Sequence, residues 1–183
     1  MRPYDYARRN GIHEISWTDF GELTDQLAEM LERERVDLIL GVARAGLFPA
    51  TAVAMALRRD FHPVRLSRRV DDEVVHASPQ WSVPVPEAVQ GRTVAVVDEI
   101  ADTGETLSMV HAAALERGAH HVVTAALVAH PWAEPLPRHV PVVTDAFVVF
   151  PWGRQVLING EWQPHPEMIA AMEAQEAAQE LDS

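Results

Sequence analysis

Val94-Ala95-Val96-Val97-Asp98-Glu99-Ile100-Ala101-Asp102-Thr103-Gly104-Glu105-Thr106-Leu107 brings three chemical demands into fourteen residues. Its first four residues are apolar and mostly β-branched, the composition of a short strand buried on both faces of a parallel sheet. Two adjacent carboxylates, Asp98 and Glu99, end that strand. Asp102, Thr103, Gly104 and Thr106 then make a tight polar turn, after which Leu107, Val110, Ala114 and Leu115 recur at helical spacing. Such a sequence gathers unpaired backbone N–H groups at the positive end of a helix dipole, which suits a phosphate. The neighbouring acids suit sugar hydroxyls or a hard cation. An ordinary buried strand with a capped helix after it explains the apolar run, the Thr and the Gly. It does not explain Asp98, Glu99, Asp102 and Glu105 around one turn.

At 183 residues the chain reads as one domain, 1–183, long enough to bury a substantial core over about 15–155. A net charge of -12 argues against nonspecific nucleic-acid binding, which rests on neutralising phosphates with Lys and Arg. The absence of Cys excludes disulfides and thiolate metal sites. The N-terminus lacks the apolar segment of a signal peptide and no run approaches a membrane span, so a cytoplasmic protein without a membrane partner is expected.

Working outward, residues 1–15 carry mixed charge and little periodicity. Thr18 or Asp19 is expected to cap a helix in which Phe20, Leu23, Leu27, Met30 and Leu31 form an apolar stripe ending near Arg33 to Arg35. Val36 to Val42 reads as the first core strand, Ala43-Arg44-Ala45-Gly46 as the turn after it, and Leu47 to Leu57 as a crossover helix. Gly41 and Gly46 have the spacing of a nucleotide-binding P-loop, but Leu47 and Phe48 stand where Lys and Ser or Thr are required. His62 to Leu66 is a second strand. From Ser67 to Pro86 no period survives, the signature of a flexible loop or lid. The signature helix should stop near Gly118, and His121 to Val128 is a fourth strand. Trp162 to Pro166 reads as a closing strand and turn. An acidic helix is expected over about 166–181, with Met168, Ile169 and Met172 on its apolar side.

The stretch Val94–Leu107 resembles the phosphoribosyl-pyrophosphate (PRPP) signature of the type I phosphoribosyltransferases. The resemblance implies that family's α/β, Rossmann-like fold: a central parallel sheet flanked by helices, with a small hood. It implies that Asp98 and Glu99 face the ribose and hold Mg2+ directly or through water, while Thr103, Gly104, Glu105 and Thr106 bind the 5′-phosphate. At position 105 the N–H matters more than the side chain. Asp102 lies where purine members place a carboxylate near N7 of the base, its competing role being to cap the next helix. Arg44, Ala45 and Gly46 resemble the pyrophosphate loop, in which the family often has a cis peptide; carried over, it falls at Arg44–Ala45. Arg65, Arg68 and Arg69 are candidates to reach pyrophosphate when the 67–86 loop closes.

A second resemblance covers Ala129-His130-Pro131-Trp132 and Thr144-Asp145-Ala146-Phe147-Val148-Val149-Phe150-Pro151-Trp152, which look like the base-binding side of bacterial xanthine-guanine and archaeal purine phosphoribosyltransferases. It implies that Phe147 stacks on the base, that the Val148 backbone reaches its edge, and that His130 replaces a Lys which donates to the oxygen at purine C6. A neutral imidazole donates from one nitrogen only and with shorter reach. Together the resemblances imply transfer of phosphoribose to a base, with Arg44 and Asp102 as catalytic groups, PRPP and a nucleobase as partners, and a homo-oligomer, dimer or tetramer. Two alternatives stay open: a non-catalytic PRPP-binding regulator, and a transferase acting on a pyrimidine or another base.

Overall fold

Aliphatic runs without polar alternation must bury both faces, and this chain does so in a six-stranded sheet. The computed structural model describes residues 6, 9–70, 73–76 and 78–181. In chain order the elements begin with β1 (Ile12–Glu14), α1 (Trp17–Arg33), β2 (Leu38–Val42), α2 (Leu47–Leu57), β3 (Asp60–Ser67), β4 (Arg69–Val70), β5 (Glu73–Val74) and β6 (Gln80–Val83). They continue with β7 (Thr93–Ala101), α3 (Glu105–Glu116), β8 (His121–Ala129), β9 (Val142–Val143), β10 (Phe147–Val149), β11 (Gln155–Ile158), β12 (Glu161–Pro164) and α4 (Pro166–Leu181). Two compact units form, Leu23–Thr144 and Met1–Glu22 with Asp145–Ser183.

The larger unit holds the sheet, in the order β6-β3-β2-β7-β8-β9, with β6 antiparallel to β3 and all other neighbours parallel. Helix α2 packs on β2 and β7, and α3 on β7 and β8. The chain leaves β2 for β3 on one side and later enters β7 on the other, so a crevice opens at the carboxyl ends of β2 and β7. Pairing of β2 with β7 ends at Gly41 opposite Val97, whereas β7 continues beside β8 to Ala101 opposite Ala129. The acids therefore do not end the strand, as the apolar run alone implied; one-sided pairing with β8 carries it past them.

Leu38, Leu40, Val42, Val64, Val94, Val96 and Val122 form the core together with Leu107, Val110 and Ala114 of α3. Leu115, expected in that stripe, is exposed, because one residue beyond Ala114 turns the side chain off the buried face. Gly41 sits inside β2, where an added Cβ would lie 2.7 Å from the Phe61 ring and 2.8 Å from Ala50. It is a packing glycine, in keeping with rejection of the P-loop. Short strands occur among the described residues of the 67–86 stretch: β4 pairs with β5, and β6 pairs with the end of β3. Two-residue strands are too short to register a period, and all four β6 side chains are exposed, so main-chain pairing alone marks these strands.

In the smaller unit β1, whose residues carry no strand pattern, pairs in parallel with β10. β11 and β12 form a hairpin across Asn159 and Gly160, at φ 52 and 85, the left-handed pair of a primed turn. Phe20 meets Trp152 edge-on at 5.3 Å and Phe150 stacks on Trp152 at 4.9 Å. On α4 it is Ala171 that is buried, while Ile169 and Met172 are exposed. Among the described residues no helix is long and apolar enough to cross a membrane.

Helix α1 is capped one turn earlier than expected. The Ser16 N–H donates to Asp19 Oδ2 at 2.8 Å, and the Asp19 N–H donates to Ser16 Oγ at 3.1 Å, a reciprocal capping box. Ser16→Ala is expected to cost about 1 kcal/mol and to lower Tm by about 2–4 °C in thermal unfolding followed by circular dichroism. An unchanged Tm would show that the box contributes nothing.

Candidate active site

Beyond Val97 the strand β7 has lost β2 as a neighbour, and the turn Ala43–Gly46 fills the vacated side. Gly46 has an ordinary φ of -61, so its need is for space: a Cβ there would lie 2.5 Å from Asp98 Oδ1 and 2.6 Å from the Val42 oxygen. Asp98 is buried and its Oδ1 accepts the Glu99 N–H at 2.9 Å. Burial pushes the Asp98 carboxyl well above the usual carboxylate range, and the charge on neighbouring Glu99 adds to the shift. Glu99 is half-buried. Arg44 is exposed, and its carbonyl and that of Ala45 accept the N–H groups of Leu47 and Phe48 to start α2. The cis peptide lies at Ala43–Arg44, one link before the expected Arg44–Ala45. The Ala43 N–H still donates to the Val64 oxygen at 2.7 Å, so strand pairing lasts through Ala43 and the turn starts at the next peptide.

The second turn is a cradle of backbone N–H groups. Gly104, at φ 82 and ψ -11, opens α3 without any side-chain cap. Asp102 therefore does not cap the helix. The Glu105 N–H meets only Thr103 Oγ1 at 3.4 Å, and the N–H groups of Gly104, Thr106 and Leu107 have no acceptor among the described residues. Open donors at the positive end of a three-turn helix suit a phosphate.

Sequence reasoning missed the shelf beneath this cradle, His130–Pro135. The His130 N–H donates to the Ala101 oxygen at 3.0 Å, the Glu134 N–H to the Thr103 oxygen at 2.9 Å, and the Trp132 indole N–H to Asp102 Oδ1 at 3.1 Å. A Cβ on Gly104 would lie 2.5 Å from the Pro135 oxygen, so Gly104 is needed both for its φ and for this close approach. The Glu134–Pro135 peptide is cis. Farther along, Glu34 Oε1 accepts Arg138 Nε at 2.8 Å and lies 2.9 Å from His139 Nε2, which ties the segment to the end of α1. Three prolines around one Trp, at 131, 135 and 137, were the available signal for a rigid turn.

The remaining expected residues separate by unit. His130 is buried, with Nδ1 2.6 Å from the Thr144 oxygen, so Nδ1 carries the proton and donates there. Its ring stacks on Trp132 at 4.5 Å and 16°, and it is Trp132 that is exposed on this turn. Arg68 is half-buried and its carbonyl accepts the Val75 and His76 N–H groups; Arg65 is exposed on β3. The Arg69 side chain lies outside the described residues, as do residues 71, 72 and 77 of the expected loop. Phe147 and Val148 belong to the smaller unit, where Phe147 meets Tyr6 edge-on at 5.4 Å. Phe147 donates to the Gly11 oxygen and Val149 accepts from Ile15, so alternation along the parallel ladder turns the Val148 peptide groups away from β1. No group of three or more His, Asp or Glu able to hold a metal occurs among the described residues.

An acid pair at a topological switch, a glycine turn against it and a helix start with open amides make a crevice suited to a phosphorylated ligand. The chain belongs to the phosphoribosyl transferase domain family, whose model matches residues 14–159. Its sheet and helices are those of the type I phosphoribosyltransferase fold. It is similar to a purine phosphoribosyltransferase from Pyrococcus horikoshii Ot3 at 27% identity and TM-score 0.72, over 83% of this chain and 100% of that one. A hypothetical protein from Neisseria gonorrhoeae with bound ppGpp has 20% identity and TM-score 0.65, covering 91% of this chain and 97% of that one. The Helicobacter pylori xanthine-guanine-hypoxanthine phosphoribosyltransferase has 16% identity and TM-score 0.64, covering 79% and 93%. The last two likenesses concern the fold alone. No curated protein matches the chain.

The buried Asp98 carboxyl sets a pH dependence whose sign is opposite to that of a salt-bridged acid. Above the ordinary carboxylate range the unfolded chain has released this proton while burial favours its retention in the folded protein, so stability falls as pH rises toward the elevated folded value. Asp98→Asn removes this contribution. The difference in unfolding free energy between Asp98→Asn and the parent, measured in urea from pH 4 to pH 8, should grow in favour of the variant; a constant difference would refute the assignment.

Proposed function

We propose that the protein transfers the 5-phosphoribosyl group of PRPP to a ring nitrogen of a purine, releasing pyrophosphate. The observation that carries this reading is the set of amides at Gly104, Thr106 and Leu107 that have no acceptor among the described residues, beside the acids at the end of β7. The amides, with the Thr103 and Thr106 hydroxyls, hold the 5′-phosphate and anchor the substrate away from the reacting carbon. Asp98, its carboxyl pushed up by burial, and Glu99 take the ribose hydroxyls, and Glu99 offsets positive charge on the ring as the anomeric bond breaks. Arg44, projecting from the turn packed on Asp98, receives the charge that grows on pyrophosphate.

Mg2+ is the proposed cofactor. The two adjacent acids Asp98 and Glu99 fit an ion held by one or two carboxylates plus substrate phosphates. When bound, it neutralises charge on the leaving group. Asp102 is proposed to accept a hydrogen bond from the base. Purine as the acceptor rests on the Pyrococcus horikoshii neighbour, and the outward peptide groups of Val148 suit the edge of a base.

Pyrophosphate release should be assayed with PRPP, Mg2+ and, in turn, guanine, hypoxanthine, xanthine, adenine and uracil. Release with at least one purine is expected, and Arg44→Ala should lower kcat by about 10²–10³-fold. PRPP binding without release for any base would make the protein a regulator instead, and release with uracil alone would move the acceptor to the pyrimidines.

A further inference from the structure

An Asp at position 102 has a second place to go. Aspartate side chains commonly accept the backbone N–H two residues on, and here that N–H belongs to Gly104, one of the open amides of the cradle. Such a turn would consume a donor and put a negative charge where a phosphate has to bind. In the structure the carboxylate is held instead by Trp132, whose indole N–H donates to Asp102 Oδ1 at 3.1 Å. The indole cannot swing freely: its face lies on the His130 ring at 4.5 Å and 16°, and that ring is buried and donates from Nδ1 to the Thr144 oxygen at 2.6 Å. The backbone on either side is pinned to the same turn by the His130 and Glu134 N–H groups.

We infer that Trp132 is a positioning residue: seated on His130, it holds the Asp102 carboxylate out of the anion cradle. This rests on the phosphate-and-base reading of the turn. It also gives His130 a role other than the base contact implied by resemblance, since its proton is spent on Thr144 and its face on Trp132. A ring that only filled space here would need no N–H directed at a carboxylate.

Trp132→Phe keeps an aromatic face for His130 and removes the donor. By calorimetry it should bind PRPP about tenfold more weakly than the parent, the scale of one hydrogen bond to a charged group. Trp132→Phe/Asp102→Ala should recover the parent affinity, because the intruding carboxylate is gone; a merely structural role would not be rescued this way. With no substrate present, the Trp132 indole N–H resonance should shift in Asp102→Ala while those of the other four Trp residues stay in place. Unchanged affinity in Trp132→Phe, a loss that Asp102→Ala fails to rescue, or an unmoved indole resonance would each overturn the inference. If the parent binds PRPP but no base reacts, the transferase reading fails while these binding and resonance measurements still decide the role of Trp132.

Discussion

The structure depends on a mismatch in strand length. β7 runs on to Ala101 beside β8, while its pairing with β2 stops at Val97. A strand with one open side must fill it with backbone or with ligand, because unpaired peptide groups in a protein interior are costly. Here the Ala43–Gly46 turn takes the first part of the gap and is pressed so closely on Asp98 that residue 46 has no room for a side chain. The acids thus face a crevice rather than a neighbouring strand, and both proposed substrate loops originate at the same place in the sheet.

Once that crevice exists, the cradle needs support from below. Gly104 adopts a left-handed conformation, and its α-carbon rests on the Glu134–Pro135 peptide. The shelf satisfies the carbonyls of Ala101 and Thr103 and leaves the amides of the next residues pointing elsewhere. This division matters physically. Carbonyl oxygens turned inward and N–H groups turned outward make a concave donor surface, the polarity a phosphate requires and a cation would not tolerate.

How far this was legible in the sequence follows from the range of each interaction. The β7 turn and α3 were readable because strand, acids, glycine and helix are contiguous; α2 was readable from its alanines between two strands. The Ser16 cap was visible as Ser-x-x-Asp but lost to Thr18 and Asp19, which are equally good caps one turn on. Asn159-Gly160 was a plain hairpin signal that went unread. The shelf was out of reach for a different reason: its contacts join residues 101–104 to 130–135, and nothing local in His-Pro-Trp states what the Trp will bond. β1 was unreadable because all three of its side chains are exposed, so its pairing with β10 is main-chain chemistry without a pattern.

The remaining difficulty is charge. A chain of net charge -12, with Asp98, Glu99, Asp102 and Glu105 around one turn, is an unpromising receptor for a polyanion. The structure reduces this charge locally, without surplus Lys or Arg. Asp98 is desolvated, which pushes its carboxyl up, so the acid packed against the Ala43–Gly46 turn holds its proton to higher pH than an exposed one. Asp102 has one oxygen engaged by an indole, and α3 aims its dipole and its first amides at the same point. Preorganised dipoles of this kind attract a phosphate without reorganising as it arrives, whereas flexible cations would have to be ordered at an entropic cost. Burial, one aromatic N–H and a bare helix start therefore make an acidic loop compatible with the phosphorylated sugar proposed for it, hydroxyls toward the acids and phosphate toward the amides.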